Sequence, residues 1–314
     1  AGSGTVAFDG SSGQTLTVNT SSGTTFNTLN ITTSGGAFAV ADDTTNTLTA
    51  DSVTVDTTQN VTFGSAVTTS GTDAVTITQS GTALFKQAVE TGTLTLTASG
   101  GTTFDGAVTA DTLADASTAG NIIFNGTVSV TTLTGGVFNT TGTVTLGNDG
   151  SGTDTASFTN GITHTAGDTV LACALTTTDN VVDLGSSADS KTVTVNAASS
   201  IDSGTGAITL NGTTNFTEGY TLTLGSTSAA NSISIDTVTT TSGTSTLALD
   251  NSSSGSVTFS DGNTVSIGSL TTSSGSYAVT INSTTFDVTG SSLTTFNNTG
   301  TLTLGNADTD TCTF

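Results

Sequence analysis

Phe296-Asn297-Asn298-Thr299-Gly300-Thr301-Leu302-Thr303-Leu304-Gly305-Asn306 decides how this chain folds, because two earlier stretches repeat it. Residues 138–148, FNTTGTVTLGN, match it at nine of eleven positions, and residues 216–226, FTEGYTLTLGS, keep the skeleton F-x4-T-[VL]-T-L-G. The three starts, Phe138, Phe216 and Phe296, are almost evenly spaced. Self-similarity at nearly fixed intervals marks a repeat architecture, in which each unit is stabilised by stacking on its neighbours. Within the phrase, Thr and Leu alternate, and a period of two is that of a strand with one face buried.

The same alternation runs outward through the chain, in Thr15-Leu16-Thr17-Val18, Ser52-Val53-Thr54-Val55, Thr93-Leu94-Thr95-Leu96, Thr192-Val193-Thr194-Val195 and Val279-Thr280-Ile281, mostly flanked by Gly, Asn, Asp or Ser. No i, i+3, i+4 apolar pattern lasts three turns, so helix is not expected. Phe recurs as well: Phe63, Phe85, Phe104 and Phe124 follow one another at intervals of about 20 residues, the size of a parallel β-helix rung with short strands and Gly/Asn corners. The expected fold is all-β: one right-handed parallel β-solenoid over residues 1–314, with about 15 rungs and a length of roughly 70 Å at ~4.8 Å per rung. A string of immunoglobulin-like sandwiches fits less well. Such domains repeat at about 100 residues and carry a buried Trp; this chain has neither Trp nor Pro.

Composition excludes several partners. Of 314 residues, 24 are Asp or Glu and two are Lys or Arg, giving a formal net charge of −22. Phosphate backbones and anionic membranes both require basic residues, so neither nucleic acid nor a membrane is an expected partner. No apolar run is long enough to span a bilayer as a helix. The chain opens at Ala1 without Met, which points to a removed signal segment or to a piece of a longer polypeptide.

The alternating rungs, the phrases Gly92-Thr93-Leu94-Thr95-Leu96 and Thr221-Leu222-Thr223-Leu224-Gly225, and the Ser/Thr/Gly/Asn bias resemble the β-helical shafts of filamentous-haemagglutinin-like exoproteins and autotransporter passengers of bacterial surfaces. That resemblance spans the chain at the level of pattern. It implies an extracellular or cell-surface protein, structural or adhesive. The secretion domain of the haemagglutinin group bears an Asn-Pro motif, so a chain without Pro corresponds to shaft alone.

Catalysis is not expected: there is no Arg, one His, and the carboxylates are isolated turn residues, as in Asn148-Asp149-Gly150 and Thr309-Asp310-Thr311. Asp42-Asp43 is the adjacent pair, and neighbours on a strand face opposite ways. No catalytic, cofactor-binding or metal-ligating residue is assigned. Stacked columns of the 22 Asp are the one arrangement that could hold Ca²⁺, but neither G-G-x-G-x-D nor an EF-hand loop occurs. His164 reads as an exposed strand residue, Tyr220 and Tyr277 as surface contacts, and the Phe residues as an inward column of stacked rings. The sequons at Asn19, Asn60 and Asn282 suit an outer surface. Cys173 and Cys312 are separated by about seven rungs, too far for a bond within one chain. Cys173 reads as a buried thiol.

At the ends the pattern runs without caps. Residues 4–10, GTVAFDG, resemble residues 255–262, GSVTFSDG, and residues 309–314 align with residues 153–158. A solenoid cut within a rung leaves backbone groups unpaired, so the expected partner is the chain itself, head to tail. The expected role is a structural shaft or self-assembling filament. An adhesin or glycan-binding module, using a lateral face to hold surface glycans or neighbouring cells, is the alternative.

Overall fold

The computed structural model describes residues 4–18, 24–78, 80–116, 119–148, 153–226, 229–251, 255–291 and 294–314. The chain winds into a parallel β-solenoid of about 13 turns, set about 23 residues apart, with almost no helix. Among the described residues the helical exception is one 3-10 turn at Thr134–Gly136. The all-β parallel solenoid expected from the alternation is thus what forms, but its coil is longer, and its turns fewer, than the Phe spacing implied. Corner excursions make the difference. The chain takes seven steps from Val40 to Thr47 where the next turn takes three from Phe63 to Ala66. It takes eight from Leu184 to Thr192 where the next takes three from Leu210 to Thr213.

Two compact units, 1–147 and 148–314, divide the chain. In the first, three strand stacks form. One climbs Thr5–Phe8, Thr24–Ile31, Phe38–Val55, Val61–Ile77, Val89–Leu96 and Val108–Asp115 through the register Val6, Leu29, Val53, Val75, Leu94, Leu113. A second climbs from Gln14–Leu16 through Val40, Phe63, Phe85, Phe104 and Phe124 to Leu146. The third passes through Leu48, Val67, Val89, Val108 and Val128.

The second unit repeats the scheme. Thr155–Phe158, Ala174–Thr176, Ser199–Asp202, Thr221–Leu224, Thr246–Leu249 and Ser269–Thr272 form one stack. Ile162–His164, Val182–Leu184, Ile208–Phe216, Ser232–Thr240, Ser256–Phe259, Ala278–Ile281 and Leu302–Leu304 form another. In the third, Val193, Thr214, Val238, Val265, Phe286 and Cys312 are successive partners.

These registers place the repeated phrase in different stacks. Thr221–Leu224 and Leu302–Leu304 belong to two separate stacks of the second unit, while Val144–Leu146 lies on Ile122–Phe124 in the first. The interval between the two copies in the second unit is three whole turns and a fraction of a fourth, so the later copy lies on another face of that unit.

The Phe column forms as expected in the first unit. Phe63, Phe85, Phe104 and Phe124 are buried and in register, with ring centroids 4.5, 5.0 and 5.2 Å apart and nearly parallel planes. Each buried ring contributes about 1.5–3 kcal/mol of transfer free energy, and each offset pair adds about 0.5–1.5 kcal/mol. In the second unit the stack that begins at Ile162–His164 is mainly aliphatic at its inward places, as in Leu184, Leu210, Ile235, Phe259 and Ile281.

Two expectations are corrected here. His164 is buried, with Nδ1 2.9 Å from Thr169 Oγ1, because it shares the inward parity of Ile162. Tyr277 is buried too, its hydroxyl donating to the Leu249 carbonyl at 3.0 Å, on the parity of Val279 and Ile281. Tyr220 keeps partial exposure, with its hydroxyl donating to Glu218 Oε2 at 3.3 Å.

Candidate functional site: the two end turns

Several of the carboxylates that set the net charge bind one turn to the next. Asn125 Nδ2 donates to Asp105 Oδ1 at 2.7 Å, Asn211 Nδ2 to Asp183 Oδ1 at 2.7 Å, Thr192 N–H to Asp168 at 2.8 Å and Thr205 N–H to Asp179 at 2.8 Å. The Thr205 bonds hold the Asp179 carboxyl below the usual carboxylate range, whereas burial raises Asp183 despite its Asn211 bond. Asp43 instead closes a local turn, accepting from Thr45 N–H and Asn46 N–H, and the Asn46 and Thr45 side-chain bonds hold its carboxyl far below that range. Its neighbour Asp42 pairs with Lys86 at 2.9 Å on the surface. Asp149 and Asn19 lie outside the described residues. Of the other sequons, exposed Asn60 accepts the Thr82 N–H and Asn282 is half-buried.

Among the described residues, no three His, Cys, Asp or Glu side chains are grouped to hold a metal ion, and no helix is long and apolar enough to cross a membrane. Both cysteines are free. Cys173 is buried, and desolvation reinforced by Asp154 pushes its thiol up to about 12. The sides carry shallow polar depressions. One, about 350 Å³, is lined by hydroxyls and one carboxylate, including Thr32, Thr57, Thr78 and Asp56.

What stands out chemically lies at the two end turns. Of five exposed large apolar residues among those described, four are there: Val6 in the first unit, and Leu302, Leu304 and Phe314 in the second. No family model, curated protein or solved structure matches the chain. The end turns must therefore be understood from their own geometry. Thr5–Phe8 pairs with Thr28 to Ile31, and Gln14–Leu16 with Phe38 to Val40; among the described residues neither strand has a partner on its other side. Val6 faces inward, in register with Leu29, yet it is 37 % exposed where Leu29 is 0 %. The two differ in having a turn stacked on one side or on both.

In the last described turn of the second unit, Leu302 and Leu304 are partners of the buried Val279 and Ile281, but are themselves 38 % and 49 % exposed. Thr311–Thr313 pairs with Thr285 to Asp287, and Cys312 lies against Phe286. Burial and the Asp310 charge raise the Cys312 thiol. Phe314 rests against Phe286 and Phe296, with centroids 5.7 and 5.5 Å away, and its outer side is open. The intervening corner is closed by its own hydrogen bonds: Asp310 Oδ2 accepts the Asn306 N–H at 2.7 Å and the Ala307 N–H at 3.0 Å, and Gly305 takes φ +74°. The turn chemistry expected of residues 309–311 is present. The sequence expectation of uncapped ends named residues 4–10 and 309–314 but not which apolar side chains are exposed there, because every other turn buries the same types.

Proposed function

We propose that this protein is an extracellular structural component, a β-solenoid shaft whose copies join end to end into a filament of the cell surface. The observation that carries the reading is the parallel ladder itself, about 13 turns stacked in register, a repeat that strand pairing with a further copy can extend. Unpaired edges template further strand pairing unless something covers them. A head-to-tail contact between two different surfaces does not close on itself and so grows. The net charge of −22 supports the reading in a second way, since repulsion between acidic sides disfavours lateral clumping. The pattern-level resemblance to bacterial β-helical shafts supports the extracellular location. Electron microscopy and sedimentation of the purified chain test the proposal: unbranched fibres that lengthen with concentration are expected, and monodisperse monomers at high concentration would refute it.

A second reading, a glycan-binding lateral face, is favoured by the hydroxyl-lined depression around Thr32, Thr57 and Thr78. It lacks the aromatic platform on which sugars commonly stack, and so takes second place. Saturable binding on a glycan array, lost in Thr57→Val, would move it to first.

A further inference from the structure

An Asn followed by Gly is open to spontaneous loss of its side-chain amide, because a glycine without Cβ leaves its own nitrogen free to approach the Asn side-chain carbonyl carbon. The sequence holds three such pairs, Asn125-Gly126, Asn160-Gly161 and Asn211-Gly212. We propose that Asn125 is a self-modifying site, converted without any enzyme to aspartate and isoaspartate, while the fold protects Asn160 and Asn211. Asn125 and Asn211 form a matched pair. Each carries its Nδ2 2.7 Å from the carboxylate of an Asp one turn back, Asp105 and Asp183, and each is half-buried, so the two amides are held alike. The difference lies in the attacking nitrogen. Gly212 is buried and its N–H donates to Asp236 Oδ2 at 3.2 Å, so this nitrogen must give up its proton beside a carboxylate, which opposes the negative charge that forms. Gly161 is buried too, and its N–H is taken by the Phe158 carbonyl at 3.0 Å. Gly126 is half-buried, and its N–H has no hydrogen-bond partner among the described residues. Its proton is the one open to base from solvent.

The chemistry balances with water as the other reactant. Solvent base removes the Gly126 amide proton, the nitrogen bonds to Asn125 Cγ, the Cγ–Nδ2 bond breaks, and Nδ2 leaves as ammonia. A cyclic succinimide remains. Water opens it at either carbonyl, giving aspartate or, with the main chain rerouted through the side-chain carbons, isoaspartate. In sum, one amide and one water become one carboxylate and one ammonium, and nothing is oxidised or reduced. Asp105 decides what the product does to the fold. Where the Asn125 amide donated to that carboxylate, position 125 now presents a carboxylate of its own, beside the stacked rings of Phe104 and Phe124. Like charges facing one another across neighbouring strands are destabilising. A bond between two turns thus becomes a repulsion, and the chain records its age at this corner.

Incubation of the full chain at mildly alkaline pH, followed over time by peptide mass mapping and by isoaspartyl methyltransferase labelling, tests the assignment. Asn125 should convert several-fold ahead of Asn160 and Asn211, with ammonia released in step, and Asn125→Gln should abolish this early labelling. Asp236→Ala, which frees the Gly212 N–H, should bring Asn211 up to the rate of Asn125, with circular dichroism of wild-type shape showing that the variant is folded. Where that variant does not fold, the order of the three sites in the wild type decides. Equal rates at the three sites, or a lead by Asn160 or Asn211, would overturn the proposal. So would an Asn125 that stays intact in the folded chain while an isolated peptide of residues 121–130 converts.

Discussion

Single side chains in this solenoid are held by their neighbours one turn above and below, so the cost of losing one depends on whether both neighbours exist. Phe85 has ring partners on both sides, Phe63 and Phe104. Phe85→Ala should therefore destabilise by about 3–5 kcal/mol in denaturant melts, whereas Phe314→Ala, already half-exposed, should cost under about 1 kcal/mol. Asp115 is the one buried carboxylate among the described residues. It is 4 % exposed, Oδ2 accepts the Thr140 N–H at 2.7 Å, and Oδ1 meets no hydrogen-bond partner. Desolvation raises its carboxyl above the ordinary 3.8, with no neighbouring charge opposing it. The folded chain thus holds this proton more tightly than the unfolded chain. The resulting stability is fully present below the unfolded value and is lost as pH rises through the folded one. Urea midpoints of the wild type, measured against Asp115→Asn, should fall between pH 3 and pH 7; a difference independent of pH would show that Asp115 does not titrate on unfolding.

Strands and corners are legible in the sequence to different degrees. Alternation marked the strands because a pleated strand against a solid core admits one parity, and the Phe column followed because rings repeat at one per coil. The same rule contained the answer for His164 and Tyr277: each stands two positions from an inward Ile or Val, so parity, rather than residue type, would have placed them inside. Coil length was less legible. It is set by corners such as residues 41–46 and 185–191, and polar excursions of that kind leave the strand pattern unchanged. Close stacking also restricts what a corner can hold. A Cβ added at Gly100 would stand 2.1 Å from the Gly81 carbonyl oxygen in the turn below, while one at Gly4 would meet nothing within 4 Å. Gly100→Ala should cost at least about 1–3 kcal/mol, as overpacking does, and Gly4→Ala nothing measurable by thermal melting.

For the whole molecule, the proposed assembly carries its own salt dependence. Copies with a net charge of −22 repel one another, and screening shortens that repulsion to about 8 Å at physiological ionic strength. Light scattering should therefore show faster fibre growth as salt is added, and oriented fibres should give a meridional reflection near ~4.8 Å. Growth slowed by salt would mean that charge attraction, rather than apolar cover, joins the ends. The shift of the repeated phrase from face to face bears on how such a chain can change length. Excising from one copy to the next, as recombination between similar sequences would do, removes a fractional number of coils and splices a strand of one stack onto another. Removing 232–255, from Ser232 to just before its stacked partner Ser256, takes out one whole coil and leaves every remaining ladder aligned. A shortened protein of that kind should fold with an unchanged circular-dichroism shape, and the natural unit in which this molecule lengthens or shortens is the coil, not the phrase by which its sequence is recognised.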